Sequence, residues 1–312
     1  MKSRLLFALL LASALASPTA AFAQTTPETP NRFASTIAAA ERFEINGMLV
    51  ERHGSGGRPM VLIPGLASGG WVWQETVREF AKEHTLYVVT LPGFDGRPAV
   101  AGNPFDAAKG ALTELIAARR LVKPVLVGHS IGATLSIALA EDLGERIGGV
   151  VALDGLAVFP RTENTPPEQR AAMAESFRQK MAAATPQAFA AQQQQYMRAV
   201  GVVDMGKADD LARLTARSDP LAAAAFAGAV LALDLRPGLP KIRAPLLLLV
   251  PSYDPDNAAM GGTANDKLAY YRELMAGTPK LDVQRIDNAR HFAMLDQPRA
   301  VNDALRQFLK TL

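Results

Sequence analysis

The chain has 312 residues, of which 49% are hydrophobic and 20% are charged, and its formal net charge at pH 7 is +3. This is an ordinary globular composition, long enough for one large α/β domain with an insertion, and so small a net charge gives no support for nucleic acid as a partner. Because the chain has no cysteine, no disulfide can stabilise it and the hydrophobic core must suffice, which is feasible at this size.

Residues 1–23 have the pattern of a secretory signal peptide. Lys2 and Arg4 precede an apolar run over 5–11, and small residues end in Ala21-Phe22-Ala23, a cleavage site of the A-x-A type. The apolar run is short for a membrane span, so we expect cleavage before Gln24 and no membrane span in the mature chain. An uncleaved anchor is the alternative. The pattern predicts export from a bacterial cell, to the periplasm or to the medium.

Strands and helices alternate over most of the remaining chain. Asn46-Gly47 is a strong hairpin signal between two short strands, and the later strands are continuous apolar runs, typical of strands buried on both faces. The pattern predicts strands at 43–45, 48–52, 60–63, 86–90, 122–127, 150–155, 245–250 and 281–286, and helices at 71–82, 107–119, 267–275 and 299–312. Such alternation predicts an α/β fold with a mostly parallel, twisted sheet flanked by helices.

The alternation stops between residues 156 and 243. This stretch has helical segments rich in Thr, Pro, Gln and Ala but no convincing strand. Thr185-Pro186 and Asp219-Pro220 each have the pattern of an N-cap residue followed by a first-turn proline. We therefore expect residues 24–155 and 244–312 to form one core, with 156–243 inserted as a helical cap.

The segment Gly128-His129-Ser130-Ile131-Gly132 is the strongest chemical motif. It follows a predicted strand and precedes a helix-forming run over 133–139. In this order Gly-x-Ser-x-Gly indicates a nucleophile elbow, a sharp turn that exposes the serine hydroxyl at the carboxyl end of its strand. Both glycines are then required because a Cβ would collide as the helix folds back against the strand. Ser130 is therefore the candidate nucleophile.

A serine hydroxyl needs a base within hydrogen-bond reach, and the chain has four histidines. His53 lies in an early edge strand and His84 in a connection. His129 is adjacent to the serine, but neighbouring side chains on a tight turn diverge, so packing beside the sheet fits it better. His291 lies just past the last predicted strand and is the candidate general base.

The base needs a carboxylate that holds it in the right tautomer, and three aspartates are candidates. In the chain order Ser, Asp, His, the acid follows a strand that lies between the other two residues in the chain. Asp254, directly after the 245–250 strand, is the first choice. Asp154, which ends the strand after the elbow helix, and Asp256 stay open, and turn formation or helix capping is the alternative role for each.

The negative charge that develops on a carbonyl oxygen needs preorganised hydrogen-bond donors. One candidate donor is the backbone N–H of Ile131, at the positive end of the helix behind the elbow. The second is the N–H of Leu66, in the glycine-containing loop that follows the 60–63 strand.

With these motifs the chain resembles the α/β-hydrolase superfamily, and more closely its esterase and haloperoxidase-like members with a helical cap. The resemblance extends over about 43–312 and includes, besides the elbow, Leu91-Pro92-Gly93-Phe94, residues 239–245 and Arg290-His291-Phe292. One departure is Pro64-Gly65, where the family often has His-Gly. Dehalogenases and epoxide hydrolases of this superfamily carry aspartate at the elbow, so Ser130 argues against both.

The resemblance implies the α/β-hydrolase fold and a set of site roles. Ser130 would be the nucleophile, Asp254 the orienting acid, His291 the base and then the acid, and Leu66 and Ile131 the oxyanion hole. We therefore expect a serine hydrolase that cleaves a small or medium carboxylic ester through an acyl-enzyme, with no cofactor and no metal.

Other readings of the same residues stay open. The triad also serves hydrolysis of lactones, thioesters, amides and carbon–carbon bonds, and cofactor-free perhydrolysis. A binding protein on the hydrolase scaffold is the non-enzymatic alternative, against which an intact Ser, Asp and His set argues. Apolar residues at helical spacing in the cap either line the substrate pocket or pack the cap on the core; they are Met173, Phe177, Met181, Phe189, Tyr196 and Met197.

Overall fold

The computed structural model describes residue 31 and residues 33–312. The predicted signal peptide, 1–23, lies outside the described residues. Within the described part of the chain, no helix is long and apolar enough to cross a membrane.

Within the residues that the structure describes, eight strands form one sheet. The strands are β1 (Glu41–Ile45), β2 (Met48–His53), β3 (Met60–Ile63), β4 (Leu86–Thr90), β5 (Val125–His129), β6 (Gly149–Leu153), β7 (Leu246–Ser252) and β8 (Leu281–Asp287). Their order in the sheet is β1-β2-β4-β3-β5-β6-β7-β8. β2 pairs antiparallel with β1 and with β4, and every other pairing is parallel. The predicted α/β fold with a mostly parallel sheet is confirmed.

Helices cover the sheet and fill the insertion between β6 and β7. They are α1 (Gln74–Phe80), α2 (Pro104–Ala118), α3 (Ile131–Leu143), α4 (Pro167–Ala182), α5 (Pro186–Tyr196), α6 (Met205–Thr215), α7 (Pro220–Ala232), α8 (Asp254–Ala259), α9 (Ala264–Leu274), α10 (Ala293–Asp296) and α11 (Pro298–Leu309). There are also 3₁₀ turns at Gly70–Trp73, Gly144–Arg146 and Arg236–Lys241, and a π-helical turn at Met197–Gly201.

The strands divide the apolar core into two layers, one on each face of the sheet. In β5, Leu126 belongs to one layer, which includes Leu112 of α2 and Leu135 of α3. Its neighbour Val127 belongs to the other layer, with Phe80 of α1 and Phe308 of α11. Because successive side chains of a strand point to opposite faces, a continuous apolar strand is buried on both sides.

Local sequence signals set several element boundaries. Asn46 and Gly47 both have positive φ (49° and 80°) in the β1–β2 hairpin, as a primed two-residue turn requires. The Thr185 hydroxyl accepts a hydrogen bond from the N–H of Ala188 at the start of α5. The Asp219 carboxylate caps α7 in the same way.

The insertion of residues 156–243, which we call the cap, consists of α4 to α7 with their connections. Its helices pack mainly on one another, α4 on α7 and α5 on α6. A β-bridge joins Val158 to Asp234, near the two ends of the insertion. The cap therefore leaves and rejoins the core at the carboxyl end of β6 and ahead of β7.

Candidate active site

Ser130 lies in a sharp turn between β5 and α3. Its backbone has φ 54° and ψ −120°, a conformation that a residue with a side chain rarely adopts. Its N–H donates to the carbonyl of Leu153 at 2.9 Å, which ties the turn to the end of β6. Strain of this kind costs about 1–3 kcal/mol and persists where the surrounding structure enforces it.

The two glycines of the motif allow the close approach of α3 to the strands. A Cβ on Gly128 would lie 2.2 Å from the carbonyl oxygen of Gly132, and a Cβ on Gly132 would lie 2.4 Å from that of Ile63. Both distances are far below van der Waals contact, so only glycine fits at these positions. The turn has the geometry that the Gly-x-Ser-x-Gly pattern predicts for a nucleophile elbow.

His291 lies beside a carboxylate, and that carboxylate belongs to Asp154. The His291 Nδ1 to Asp154 Oδ2 distance is 2.6 Å, and the two side chains are only 15% and 9% exposed. Because an ionised carboxylate can only accept, Nδ1–H donates to it, and in the neutral tautomer that carries this hydrogen Nε2 has the lone pair. An imidazole held this way is oriented to take a proton at Nε2.

This position of Asp154 corrects the first choice made from the sequence, which was Asp254. β6 pairs directly with β5, with His129 opposite Leu153. The residues that follow these partners, Ser130 and Asp154, therefore lie side by side at the carboxyl edge of the sheet. The available signal was that both residues directly follow a buried strand, but the adjacency of the two strands is not visible in the sequence.

Asp254 and Asp256 have other positions. Asp254 is exposed and begins the short helix α8, which the sequence analysis did not predict. Asp256 makes a two-pronged ion pair with Arg290, at 2.8 Å for each bond. At the start of α8, which directly follows β7, Asp254 therefore faces solvent and Asp256 is bound by Arg290.

The Asp154 carboxylate keeps its charge despite its burial. Desolvation alone would raise the pKa of Asp154, but the positive charge of Lys267 and the hydrogen bond from His291 together hold that pKa below its ordinary value. Lys267 itself is fixed by a 2.7 Å hydrogen bond from Nζ to the carbonyl of Pro251. Oδ1 of Asp154 has no hydrogen-bond partner among the described residues.

The loop after β3 lies against the elbow, as expected for the second oxyanion donor. A Cβ on Gly65 would be 3.1 Å from Cβ of Ser130, so the loop backbone passes directly beside the candidate nucleophile. Among the described residues, neither the N–H of Leu66 nor that of Ile131 donates to a carbonyl or side chain. Ala67, next in the loop, has φ 54°.

His129 is completely buried and contacts the His291 loop, a role that the sequence analysis missed. Its Nε2 lies 2.9 Å from the carbonyl oxygen of His291, and the two rings are 4.5 Å apart. Burial, reinforced by the neighbouring His291, lowers the pKa of His129 well below its ordinary value, so the ring is neutral and its Nε2–H is the donor. Its Nδ1 faces Gly65, where a Cβ would be 2.6 Å away.

The cap also holds the His291 loop through backbone hydrogen bonds, and the sequence offered no signal for these contacts. The N–H of His291 donates to the carbonyl oxygen of Val200 at 3.1 Å, and the N–H of Phe292 donates to the carbonyl oxygen of Gly201 at 2.9 Å. Both acceptors lie in the π-helical turn, a rare element that is frequent at functional sites. The Tyr196 ring meets the His291 ring edge to face at 6.1 Å.

The apolar cap residues named from the sequence have different environments. Phe189 and Met197 are buried in the two core layers. Met173 is 46% exposed on α4, which also carries the partly buried Phe177 and Met181. For Met173, Phe177 and Met181, a place in a substrate pocket stays a prediction.

A sheet with this strand order and a strained serine turn between β5 and α3 defines an α/β-hydrolase. The model of the Alpha/beta hydrolase family matches residues 60–304, which is most of the chain. The chain therefore belongs to the alpha/beta hydrolase family, and the resemblance stated from the sequence is confirmed.

Individual relatives are similar over part of the chain or at low identity. A 2-succinyl-6-hydroxy-2,4-cyclohexadiene-1-carboxylate synthase of Escherichia coli strain SMS-3-5 is 30% identical over 120 residues, 38% of this chain and 47% of the relative. The chain thus spans about half the length of this curated relative.

Solved structures match nearly the whole fold. An esterase from Thermogutta terrifontis, with malate bound, has a TM-score of 0.66 at 23% identity, covering 87% of this chain and 99% of its own. The enol-lactonase from Burkholderia xenovorans LB400 also has a TM-score of 0.66, at 18% identity, covering 86% of this chain and 100% of its own. At such identities the likeness shows the fold alone.

Proposed function

We propose that the protein is a serine hydrolase that cleaves a small or medium carboxylic ester through an acyl-enzyme. The observation that supports this most is the 2.6 Å contact of His291 with Asp154, beside a serine with φ 54° in an elbow. The nucleophile, base and acid are Ser130, His291 and Asp154, in the chain order Ser, Asp, His.

The reaction has two halves. Ser130 Oγ attacks the ester carbonyl carbon while Nε2 of His291 takes the hydroxyl proton. The N–H groups of Leu66 and Ile131 donate hydrogen bonds to the carbonyl oxygen as it becomes negatively charged. The bond between the carbonyl carbon and the alcohol oxygen then breaks, and His291 protonates the leaving alcohol. In the second half, Nε2 takes a proton from a water that attacks the acyl-enzyme, and the acid and free Ser130 are released.

An ester is the first choice among the substrates that such a triad can cleave, because an alcohol is an easier leaving group than an amine. Lactones, amides and carbon–carbon bonds remain candidates, since the same three residues serve them all. The partial similarity to a 2-succinyl-6-hydroxy-2,4-cyclohexadiene-1-carboxylate synthase covers too little of the chain to displace hydrolysis.

The experiment is a comparison of the chain from Gln24 onward with its Ser130→Ala variant on p-nitrophenyl esters from acetate to laurate. Ser136→Ala is the matched control, because Ser136 is a buried serine of α3 whose hydroxyl donates only to Gly132, at 2.7 Å. We expect Ser130→Ala to lower kcat by a factor on the order of 10⁴ or more, and Ser136→Ala to leave it within about twofold.

Two results contradict the proposal. Equal activity of wild type and Ser130→Ala would mean that another group is the nucleophile. A wild-type protein that is inert on esters, lactones and amides, and that is not labelled by a fluorophosphonate at Ser130, would favour a binding protein on the hydrolase scaffold.

We also propose that the protein is exported and that residues 1–23 are removed. The Ala21-Phe22-Ala23 pattern supports cleavage before Gln24. The test is the intact mass of the protein recovered after expression of the full chain in a bacterium. A mass that still includes residues 1–23 would contradict cleavage.

A further inference from the structure

The loop that carries Leu66 receives a hydrogen bond from the cap. The hydroxyl of Ser218 donates to the carbonyl oxygen of Ala67 at 2.9 Å, from a position 151 residues further along the chain. Ser218 is 4% exposed and lies between α6 and α7. Ala67 is also buried and has φ 54°, so this bond acts on a residue in a strained conformation.

Ser218 is itself held in a fixed orientation. Its oxygen accepts a hydrogen bond from the N–H of Asp95 at 3.0 Å, so its own hydrogen is directed to Ala67. On either side of it, the N–H of Gly96 donates to Arg217 at 3.1 Å and the N–H of Asp219 donates to Gly93 at 2.8 Å. Residues 217–219 therefore lie alongside residues 93–96, joined to them by backbone hydrogen bonds.

The other end of the loop, at Gly69, contacts the segment of residues 93–96. A Cβ on Gly69 would lie 2.2 Å from Oδ2 of Asp95, so the loop backbone touches this carboxylate. Inside the loop, the hydroxyl of Ser68 donates to the carbonyl of Leu66 at 3.2 Å. The loop is thus held at Ala67 by Ser218 and contacts Asp95 at Gly69. Between these two points, Ser68 ties the Leu66 end of the loop to them, because its N–H also donates to the carbonyl of Gly65 at 3.2 Å.

We propose that Ser218 is a positioning residue for the oxyanion-binding loop, which it holds so that the N–H of Leu66 faces the reacting carbonyl oxygen. This inference rests on the proposed function. Donors stabilise a developing oxyanion only when they are in place before the charge appears. The cap then helps to stabilise the transition state of a reaction whose nucleophile, base and acid all lie in the core.

The test is Ser218→Ala, with Ser136→Ala as the matched control and Ser218→Thr as the variant that keeps the hydroxyl. Three quantities are measured: kcat and KM on the best ester, the affinity for a trifluoromethyl ketone, and the thermal midpoint. The ketone accepts Ser130 Oγ at its carbonyl carbon and places an alkoxide in the oxyanion hole, while the hydroxyl proton passes to His291. It therefore reports the hole without turnover.

We expect Ser218→Ala to lower kcat about tenfold with KM within about twofold, because complete loss of one oxyanion donor costs about 10²–10³ and a loosened donor costs less. The affinity for the ketone falls by the same factor as kcat. Ser136→Ala changes neither quantity, and Ser218→Thr recovers most of both. If Ser218→Ala does not fold, the comparison is made with Ser218→Cys, which keeps the size but donates more weakly, and the expected losses are smaller but parallel.

Three results overturn the inference. The first is unchanged kcat and ketone affinity in a folded Ser218→Ala protein. The second is a raised KM with unchanged kcat, which would make Ser218 a substrate-binding residue. The third is a lower thermal midpoint without a kinetic effect, which would make it structural only. Failure of the proposed function is separate, since it appears first as a wild type that hydrolyses no ester and does not react with the ketone.

Discussion

Asp154 and Ser130 are two non-glycine residues with positive φ at the ends of neighbouring strands, at 46° and 54°. Each such residue costs about 1–3 kcal/mol, so both conformations must be enforced by their surroundings. The hydrogen bonds from Ser130 to Leu153 and from Asp154 to Leu249 tie each residue to the strand beside it. These two conformations lie at one edge of the sheet, where the Asp154 carboxylate contacts the His291 imidazole.

Glu141 is a titratable residue outside the site whose ionisation should affect stability. Burial raises the pKa of Glu141 from 4.5 to about 7, and the neighbouring Asp142 adds to the rise. Its carboxylate abuts the backbone at Gly238, where a Cβ would lie 2.2 Å from Oε2. The pKa of Glu141 is thus about 7 in the folded state and 4.5 in the unfolded state. Between these pH values the folded state holds a proton that the unfolded state has lost, so the free energy of unfolding falls as the pH rises from about 4.5 through 7.

We therefore expect Glu141→Gln to leave the thermal midpoint nearly unchanged at pH 5 and to raise it relative to wild type at pH 8, by about 2–4 °C. The effect is modest because Glu141 is only partly buried and solvent screens its charge. Thermal unfolding followed by circular dichroism from pH 5 to 8 measures it. The exposed Glu145, changed to Gln, is the control. A Glu141→Gln difference that is the same at every pH would contradict this account.

At the scale of elements, the strand-turn-helix unit of β5 and α3 depends on its glycines. We expect Gly128→Ala to destabilise the protein by about 3 kcal/mol or more, because its Cβ would lie 2.2 Å from the carbonyl oxygen of Gly132 and backbone would have to move. Gly110→Ala is the control, since a Cβ there meets nothing within 4 Å in the middle of α2. It should stabilise the protein by about 0.5–1 kcal/mol.

Urea unfolding of the two glycine variants gives the comparison directly. Equal stability of Gly128→Ala and wild type would mean that α3 can withdraw from β5. In that case the turn at Ser130 would not be the rigid elbow that the chemistry requires.

Elements encoded by local patterns could be predicted from the sequence. The hairpin at Asn46-Gly47, the apolar strands and the turn at Ser130 all depend on neighbouring residues, and the structure has each of them. The helix α8 was missed because it has only six residues, from Asp254 to Ala259, and a short helix that starts with Asp-Pro resembles a turn in sequence.

Features that depend on strand order could not be predicted in the same way. Asp154 and Asp254 both follow a buried strand, so their sequences alone do not separate them. Only the pairing of β6 with β5 places Asp154 beside the elbow. The contacts of Val200, Gly201 and Ser218 join segments far apart in the chain, and neither residue type nor spacing indicates them.

In the whole molecule, the cap holds the site on two sides. Carbonyls of the π-helical turn accept from the N–H groups of His291 and Phe292, and Ser218 donates to Ala67. Arg290 adds hydrogen bonds to the carbonyls of Arg198, at 2.8 Å, and Val202, at 3.3 Å. A large displacement of the cap would break these bonds.

The identity of the carboxylate that orients His291 is tested by kcat/KM for Asp154→Asn beside Asp254→Asn, on the ester that wild type cleaves best. Asparagine keeps the size of the side chain but cannot hold His291 in the tautomer that leaves Nε2 free. We expect kcat/KM to fall by a factor of about 10³–10⁴ in Asp154→Asn and to stay within about twofold in Asp254→Asn. Full activity of Asp154→Asn with a large loss in Asp254→Asn would contradict this expectation.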